Sequence, residues 1–126
     1  MTTPQADKPT ARRYRLRHAS RLKSRAEFER VFAVRRSMSD SRLILYTAPN
    51  ELKRRRVGLA VGKRLGSAVV RNRYKRLLRE AFRLTQHNLP DGYDYVLIPR
   101  KGQTPATHVY EQSLLHLTNK MVRRMT

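Results

Sequence analysis

Between Ser67 and His87 apolar and polar residues separate cleanly at helical spacing. With about 100° of turn per residue, Val70, Tyr74, Leu77, Leu78, Ala81 and Phe82 fall on one arc, and Arg71, Asn72, Lys75, Arg76, Arg79 and Arg83 fall on the other. The pattern predicts a helix from about Ala68 to about His87, with Gly66-Ser67 as its entry and N-cap and Leu89-Pro90-Asp91-Gly92 as its stop. Upstream, Ser24-Arg25-Ala26-Glu27 has capping-box spacing, Ser accepting from the third helical N–H and Glu reaching back. It opens a short helix to about Val34 that displays Phe28, Val31 and Phe32 along one side.

Strand patterns fill the space between these helices. The β-branched and aromatic run Leu43-Ile44-Leu45-Tyr46-Thr47 predicts a strand from Arg42 to Ala48, preceded by a short strand near Arg36 to Met38 and followed by a turn at Pro49-Asn50-Glu51. Val57 to Lys63 alternates branched residues with Gly and Ala, giving one bulky sheet face and one nearly bare. A bare face admits close approach, by a packed helix or by a ligand backbone. Tyr93 to Pro99 predicts a further buried strand, and a strand, a long helix and a strand in succession make a crossover unit with its two strands parallel. Tyr110, Leu114, Leu117 and Met121, with Leu115, Val122 and Met125 beside them, predict a final helix that covers the sheet.

Residues 1 to about 20 mix Thr, Pro, Arg and Lys without periodicity, which predicts a flexible basic arm that orders on a partner. The remainder, 21–126, is expected to form a single domain, consistent with a length of 126 residues. Charge changes the picture most. With 29 Lys and Arg against 9 Asp and Glu, the formal charge is +20 and the expected partner is a polyphosphate. The longest apolar runs are far short of the roughly 20 residues a spanning helix needs. No secretory stretch opens the chain and it has no Cys, so the economical location is the cytoplasm. An organelle transit peptide is the competing reading of the Arg- and Thr-rich start, and Asp7 with two early prolines argues against it.

The chain looks like a binder without a catalytic apparatus of its own. Its acids are too scattered for a metal cluster, and His18, His87, His108 and His116 lack ligand spacing. Gly62-Lys63-Arg64-Leu65-Gly66-Ser67 is not a P-loop, because no Lys follows the second Gly; it reads as a basic strand-to-helix turn that can meet phosphate through backbone N–H groups. The basic helix face has a plainer reading, a solvated surface, but solubility needs only a few net charges of interspersed sign, and Glu80 is the lone acid of this helix. Arg forks suit phosphate and stacking contacts with structured RNA. Asn72 can read a base edge or a 2′-hydroxyl, or serve the first helical turn. Phe28 and Phe32, four apart, are either core or a platform for unpaired bases, and Tyr46 either extends that platform or sits half-buried with a wet hydroxyl.

Read together, Gly58-Leu59-Ala60-Val61-Gly62-Lys63-Arg64-Leu65-Gly66-Ser67-Ala68-Val69-Val70-Arg71-Asn72-Arg73 and Lys75-Arg76-Leu77-Leu78-Arg79-Glu80-Ala81-Phe82-Arg83 closely resemble the signature of the bacterial ribonuclease P protein subunit. The resemblance extends over roughly residues 21 to 120, through Arg21 to Phe32 before the signature and Asp94 to Arg100 after it. It implies an α/β (α+β) two-layer sandwich, ribosomal-protein-like, in the order helix, three strands, helix, strand, helix. The sheet would be mixed and four-stranded, and the crossover left-handed, against the general right-handed rule. It also implies a subunit that joins a catalytic RNA to remove 5′ leaders from precursor tRNA, with the active site and its Mg²⁺ in the RNA and no cofactor bound by the protein alone.

On this resemblance Arg71, Asn72, Arg73, Lys75, Arg76 and Arg79, with Lys63 and Arg64 leading in, face the RNA subunit and nearby substrate. Phe28, Phe32 and Tyr46 line a cleft for the single-stranded leader. The chain departs from the family at Asp40-Ser41-Arg42, where Asn-Arg is common, and those residues are left unassigned. The rivals are a ribosomal or other structural RNA binder without a role in cleavage, a protein-only metal nuclease, and a duplex-DNA architectural protein.

Overall fold

Among the described residues seven α-helices and strands follow one another: α1 (Arg25–Val34), β1 (Ser37–Ser39), β2 (Leu43–Pro49), β3 (Arg56–Leu59), α2 (Ala68–Thr85), β4 (Tyr93–Pro99) and α3 (Thr107–Met125). They come from a computed structural model that describes residues 20–102 and 106–125. The expected basic arm, Ser20 apart, lies outside the described residues. The order of elements is the one the sequence predicts. The strands form one mixed sheet in the order β1-β2-β4-β3. β2 runs antiparallel to β1 and to β4, from Leu43 opposite Pro99 to Pro49 opposite Tyr93, and β3 runs parallel to β4, which makes β3-α2-β4 the expected crossover unit.

Alternation along the strands sends side chains to two different environments. Leu43, Leu45, Val57, Tyr95 and Leu97 pack beneath Tyr74, Leu78, Ala81 and Phe82 of α2 and Tyr110, Leu114 and Leu117 of α3, forming the main core. The intervening residues Ala48 and Val96 join Leu22 and Val31 in a smaller cluster with α1, edged by the half-buried Phe28, Phe32, Tyr46, Ala60 and Ile98. The capping box forms as its spacing predicts: Ser24 Oγ accepts from Glu27 N at 3.2 Å and Glu27 Oε1 accepts from Ser24 N at 3.0 Å. Arg35 closes α1 in the left-handed region (φ 59°), its N–H donating to the Phe32 carbonyl.

Four elements differ from expectation at their ends, β2 running from Leu43 to Pro49 rather than from Arg42 to Ala48 and so taking in Pro49 of the expected turn. The short first strand covers Ser37–Ser39 rather than 36–38. β3 ends at Leu59 instead of reaching Lys63, because the last bond to β4 is Ala60 N to Leu97 O and the chain then turns away through a 3-10 turn at Lys63–Leu65 that buries Leu65. α2 ends at Thr85 and passes into a second 3-10 turn, Gln86–Asn88. Val70, placed on the packing arc by periodicity, is 37% exposed and its neighbour Val69 is 80% exposed, because the first turn of α2 overhangs the edge of the core.

Candidate nucleic-acid interface

The entry to α2 is built from the Gly-rich stretch. Gly66 adopts φ 137°, a conformation L-residues avoid, and Ser67 Oγ accepts from Val70 N at 3.4 Å as N-cap. This turn presents Lys63 and Arg64 to solvent beside the exposed Asn72, Arg73 and Arg76, while Arg71, Lys75 and Arg79 lie half-buried along the flank of the helix. Arg71 Nε donates to the Gly66 carbonyl at 3.2 Å, so it ties the turn to the helix. Arg83, assigned by periodicity to the same cationic face, is instead paired with Glu80 at 2.6 Å one turn back. The hydrogen bond from Arg83 lowers the Glu80 carboxyl below its usual range, with burial opposing.

Five acids are tied to arginines elsewhere: Glu29 to Arg25, Asp91 to Arg55, Glu80 to Arg83, Glu27 to Arg56, and Asp94 to both Arg30 and Arg56. None of Lys63, Arg64, Arg73, Lys75, Arg76 and Arg79 makes an ion pair among the described residues. These five carboxylates thus compensate arginines other than the candidate cations of the stripe, whose charge none of them pairs.

The three candidate aromatics lie on the α1 face of the sheet. Phe32 meets Tyr46 edge-on, ring centroids 4.9 Å apart at 89°. Phe28 reaches across to β3, where a Cβ at position 58 would stand 2.6 Å from its Cε1 and Cζ. The bare face of β3 therefore receives an aromatic ring of α1. Each ring packs on the smaller cluster while keeping part of its surface exposed. A groove of about 190 Å³ then runs over the β3 edge, with Leu22, Phe28, Val57, Gly58 and Leu59 as its apolar lining and Arg21, Lys75 and Arg79 at its rim. It brings a candidate aromatic together with two candidate cations of α2. Nothing in the sequence around Arg21 marks it as a site residue; its backbone bridges to Val57 beside β3, which puts it at this rim.

A buried polar cluster supports the same face, and periodicity gave no sign of it. The Asp94 carboxylate is fully buried and accepts from Arg56 Nε and Nη2, both at 2.8 Å, from Asn50 Nδ2 at 2.9 Å and from Arg30 Nη2. Burial pushes this carboxyl up, but the hydrogen bonds from Arg56, Asn50 and Arg30 outweigh it and hold it below the usual carboxylate range. Arg30 also donates to the Pro49 carbonyl at 3.0 Å, and Arg56 Nη1 reaches Glu27 Oε2 at 3.1 Å. The available signal was a lone carboxylate in the otherwise apolar Tyr93–Pro99 run, which needs cationic partners if buried. The unassigned Asp40 forms the turn between β1 and β2, its Oδ1 accepting from Arg42 N and Leu43 N, both at 2.8 Å, and its carboxylate also accepts from the Ser113 hydroxyl of α3.

Among the described residues no three His, Asp or Glu side chains gather as a metal site, and no helix is long and apolar enough to cross a membrane. His87, His108 and His116 are exposed, and His18 lies outside the described residues.

A sequence model described as Ribonuclease P matches residues 16–122. The ribonuclease P protein component of Alkaliphilus oremlandii is 37% identical over 103 residues, covering 81% of this chain and 90% of the relative. That of Exiguobacterium is 43% identical over 98 residues, covering 77% and 85%. Among solved structures, the RNase P protein of Staphylococcus aureus superposes with a TM-score of 0.70 at 31% identity over 82% of this chain and 95% of its own. The RNase P protein from Thermotoga maritima gives 0.72 at 30% identity, over 79% and 96%. Match along the chain and match in fold agree, and the chain belongs to the family of ribonuclease P protein components.

Proposed function

We propose that this chain, a ribonuclease P protein subunit acting in maturation of the 5′ end of tRNA, works through charge and position rather than through chemistry of its own. Lys63, Arg64, Arg71, Asn72, Arg73, Lys75, Arg76 and Arg79 dock the catalytic RNA and adjacent substrate. Phe28, Phe32 and Tyr46 hold the unpaired 5′ leader of precursor tRNA. Cleavage, with the Mg²⁺ it requires, belongs to the RNA, and the complex works in the cytoplasm. The observation that carries this reading is the groove in which Phe28 meets Lys75 and Arg79, a base-stacking surface beside phosphate-binding cations.

Neutralising phosphates releases condensed counterions, so affinity for the RNA falls steeply with salt. Holding the leader favours precursor over mature tRNA and lets the product leave. The test is reconstitution with ribonuclease P RNA at low Mg²⁺. The protein is expected to restore leader cleavage and to strengthen precursor binding more than mature tRNA binding. No gain in cleavage would return the chain to the structural RNA binders, and cleavage by RNA-free protein would make it a nuclease in its own right.

A further inference from the structure

α1 carries two of the three cleft aromatics, yet its apolar hold on the sheet is slight: Val31 is the one residue of the helix that is buried. What fixes its place is polar. Arg30 ties the helix to Asp94 on β4 and to the Pro49 carbonyl at the end of β2. Glu27 works at both ends of its carboxylate, Oε1 accepting from Lys23 N at 2.7 Å and Ser24 N at 3.0 Å while Oε2 takes Arg56 Nη1 at 3.1 Å. Arg56 closes the circuit by gripping Asp94 with its other two nitrogens. The start of α1 is therefore coupled through one guanidinium to the parallel strand pair beneath it. Glu27 and Phe28 are consecutive, so a shift at this circuit moves the ring that rests on Gly58.

We infer that Arg56, with Glu27 and Arg30, is a positioning residue that sets the seat of α1 on the sheet and so the width of the aromatic cleft, tuning the preference for substrates that carry a leader. The inference rests on the proposed role of the cleft in holding the leader. Two balanced cations and two balanced anions suit such a role: the fork geometry of Arg fixes direction as well as distance, and the circuit adds no net charge that would draw RNA to itself. It touches no nucleotide; its effect passes through the ring of Phe28, next in the chain to Glu27 and seated on Gly58.

The experiment compares Arg56→Gln, Arg30→Gln and Glu27→Gln in the reconstituted holoenzyme. Gln at position 27 keeps the capping-box acceptor and loses the charge that faces Arg56, so it reads the coupling even where Arg56→Gln fails to fold. Each variant is expected to raise KM roughly fivefold for precursor with a full leader, the range of coupling between contacting residues. kcat should stay unchanged, as should KM for precursor trimmed to a one-nucleotide leader and the salt slope of assembly with the RNA. Combined with Phe28→Ala, the Glu27→Gln effect should largely disappear, because both act through one ring. Equal KM increases for both substrates, or effects that add to Phe28→Ala, would overturn the positioning role and leave the circuit as a stability element. If Phe28→Ala and Tyr46→Ala themselves leave leader preference intact, the leader reading fails; if they abolish it and Glu27→Gln does not, only the positioning role fails.

Discussion

The ring of Phe28 occupies the space that a side chain at position 58 would need. A Cβ on Gly58 would lie 2.6 Å from Phe28 Cε1 and Cζ and 3.1 Å from Leu22 Cδ1. Gly58 is in β3, so its small size serves neither a turn nor a left-handed conformation; it makes room for an aromatic from another element. Gly58→Ala should therefore push the ring outward, with an overpacking cost of about 1–3 kcal/mol. Urea denaturation would register that cost, and leader preference should fall in parallel. A neutral substitution on both counts would mean that the ring has room to spare.

The stripe on α2 divides into cations that also hold structure and cations that only face outward. Arg76→Ala and Arg73→Ala remove exposed side chains that make no ion pair among the described residues, so stability should stay within about 0.5 kcal/mol. Each should weaken assembly with the RNA and reduce its log–log salt slope by about 0.7–0.9 for each phosphate left without its cation. Arg71→Ala also breaks the bond to the Gly66 carbonyl, so it should lower the thermal midpoint as well. Titration at several salt concentrations beside a melting curve separates the two kinds of residue.

Local signals made most elements legible in the sequence: the Ser24 and Glu27 capping box, the two-faced pattern of α2, the apolar run of β4. Features set by distant partners were hidden. Arg30 and Asp94 meet across 64 residues of chain, and nothing near either names the other. The exposure of Val70 followed from where α2 overhangs its core, which periodicity on one helix cannot see. The candidate site residues could be picked out by type, as cations and aromatics, because type is a local property; that Lys75 and Arg79 share a groove with Phe28 depends on a strand edge that only the fold supplies.

The buried carboxylate makes a prediction about acid. Asp94 is held below the usual carboxylate pKa in the folded protein, so its contribution to stability is complete above the unfolded value, about 3.9. It is lost as pH falls through the lower folded value. Unfolding midpoints should accordingly be flat near neutrality and drop below about pH 4, with Glu27 and Glu80, also lowered, adding to the fall. Asp94→Asn should remove part of that acid limb. At neutral pH it should cost about 3–5 kcal/mol, because it strands two arginines around an uncharged amide. Urea titrations between pH 3 and 7 on both proteins would check this.

Tyr46 can be tested by separating its ring from its hydroxyl. The edge-on contact with Phe32 belongs to the ring, and stacking on a base also needs only the ring, at about 1–3 kcal/mol per base. Tyr46→Phe should therefore preserve leader preference, whereas Tyr46→Ala should lose it along with the support that orients Phe32. Competition between precursor and mature tRNA for the assembled enzyme measures both. A loss in Tyr46→Phe equal to that in Tyr46→Ala would shift the interaction to the hydroxyl and replace stacking with a hydrogen bond to the leader.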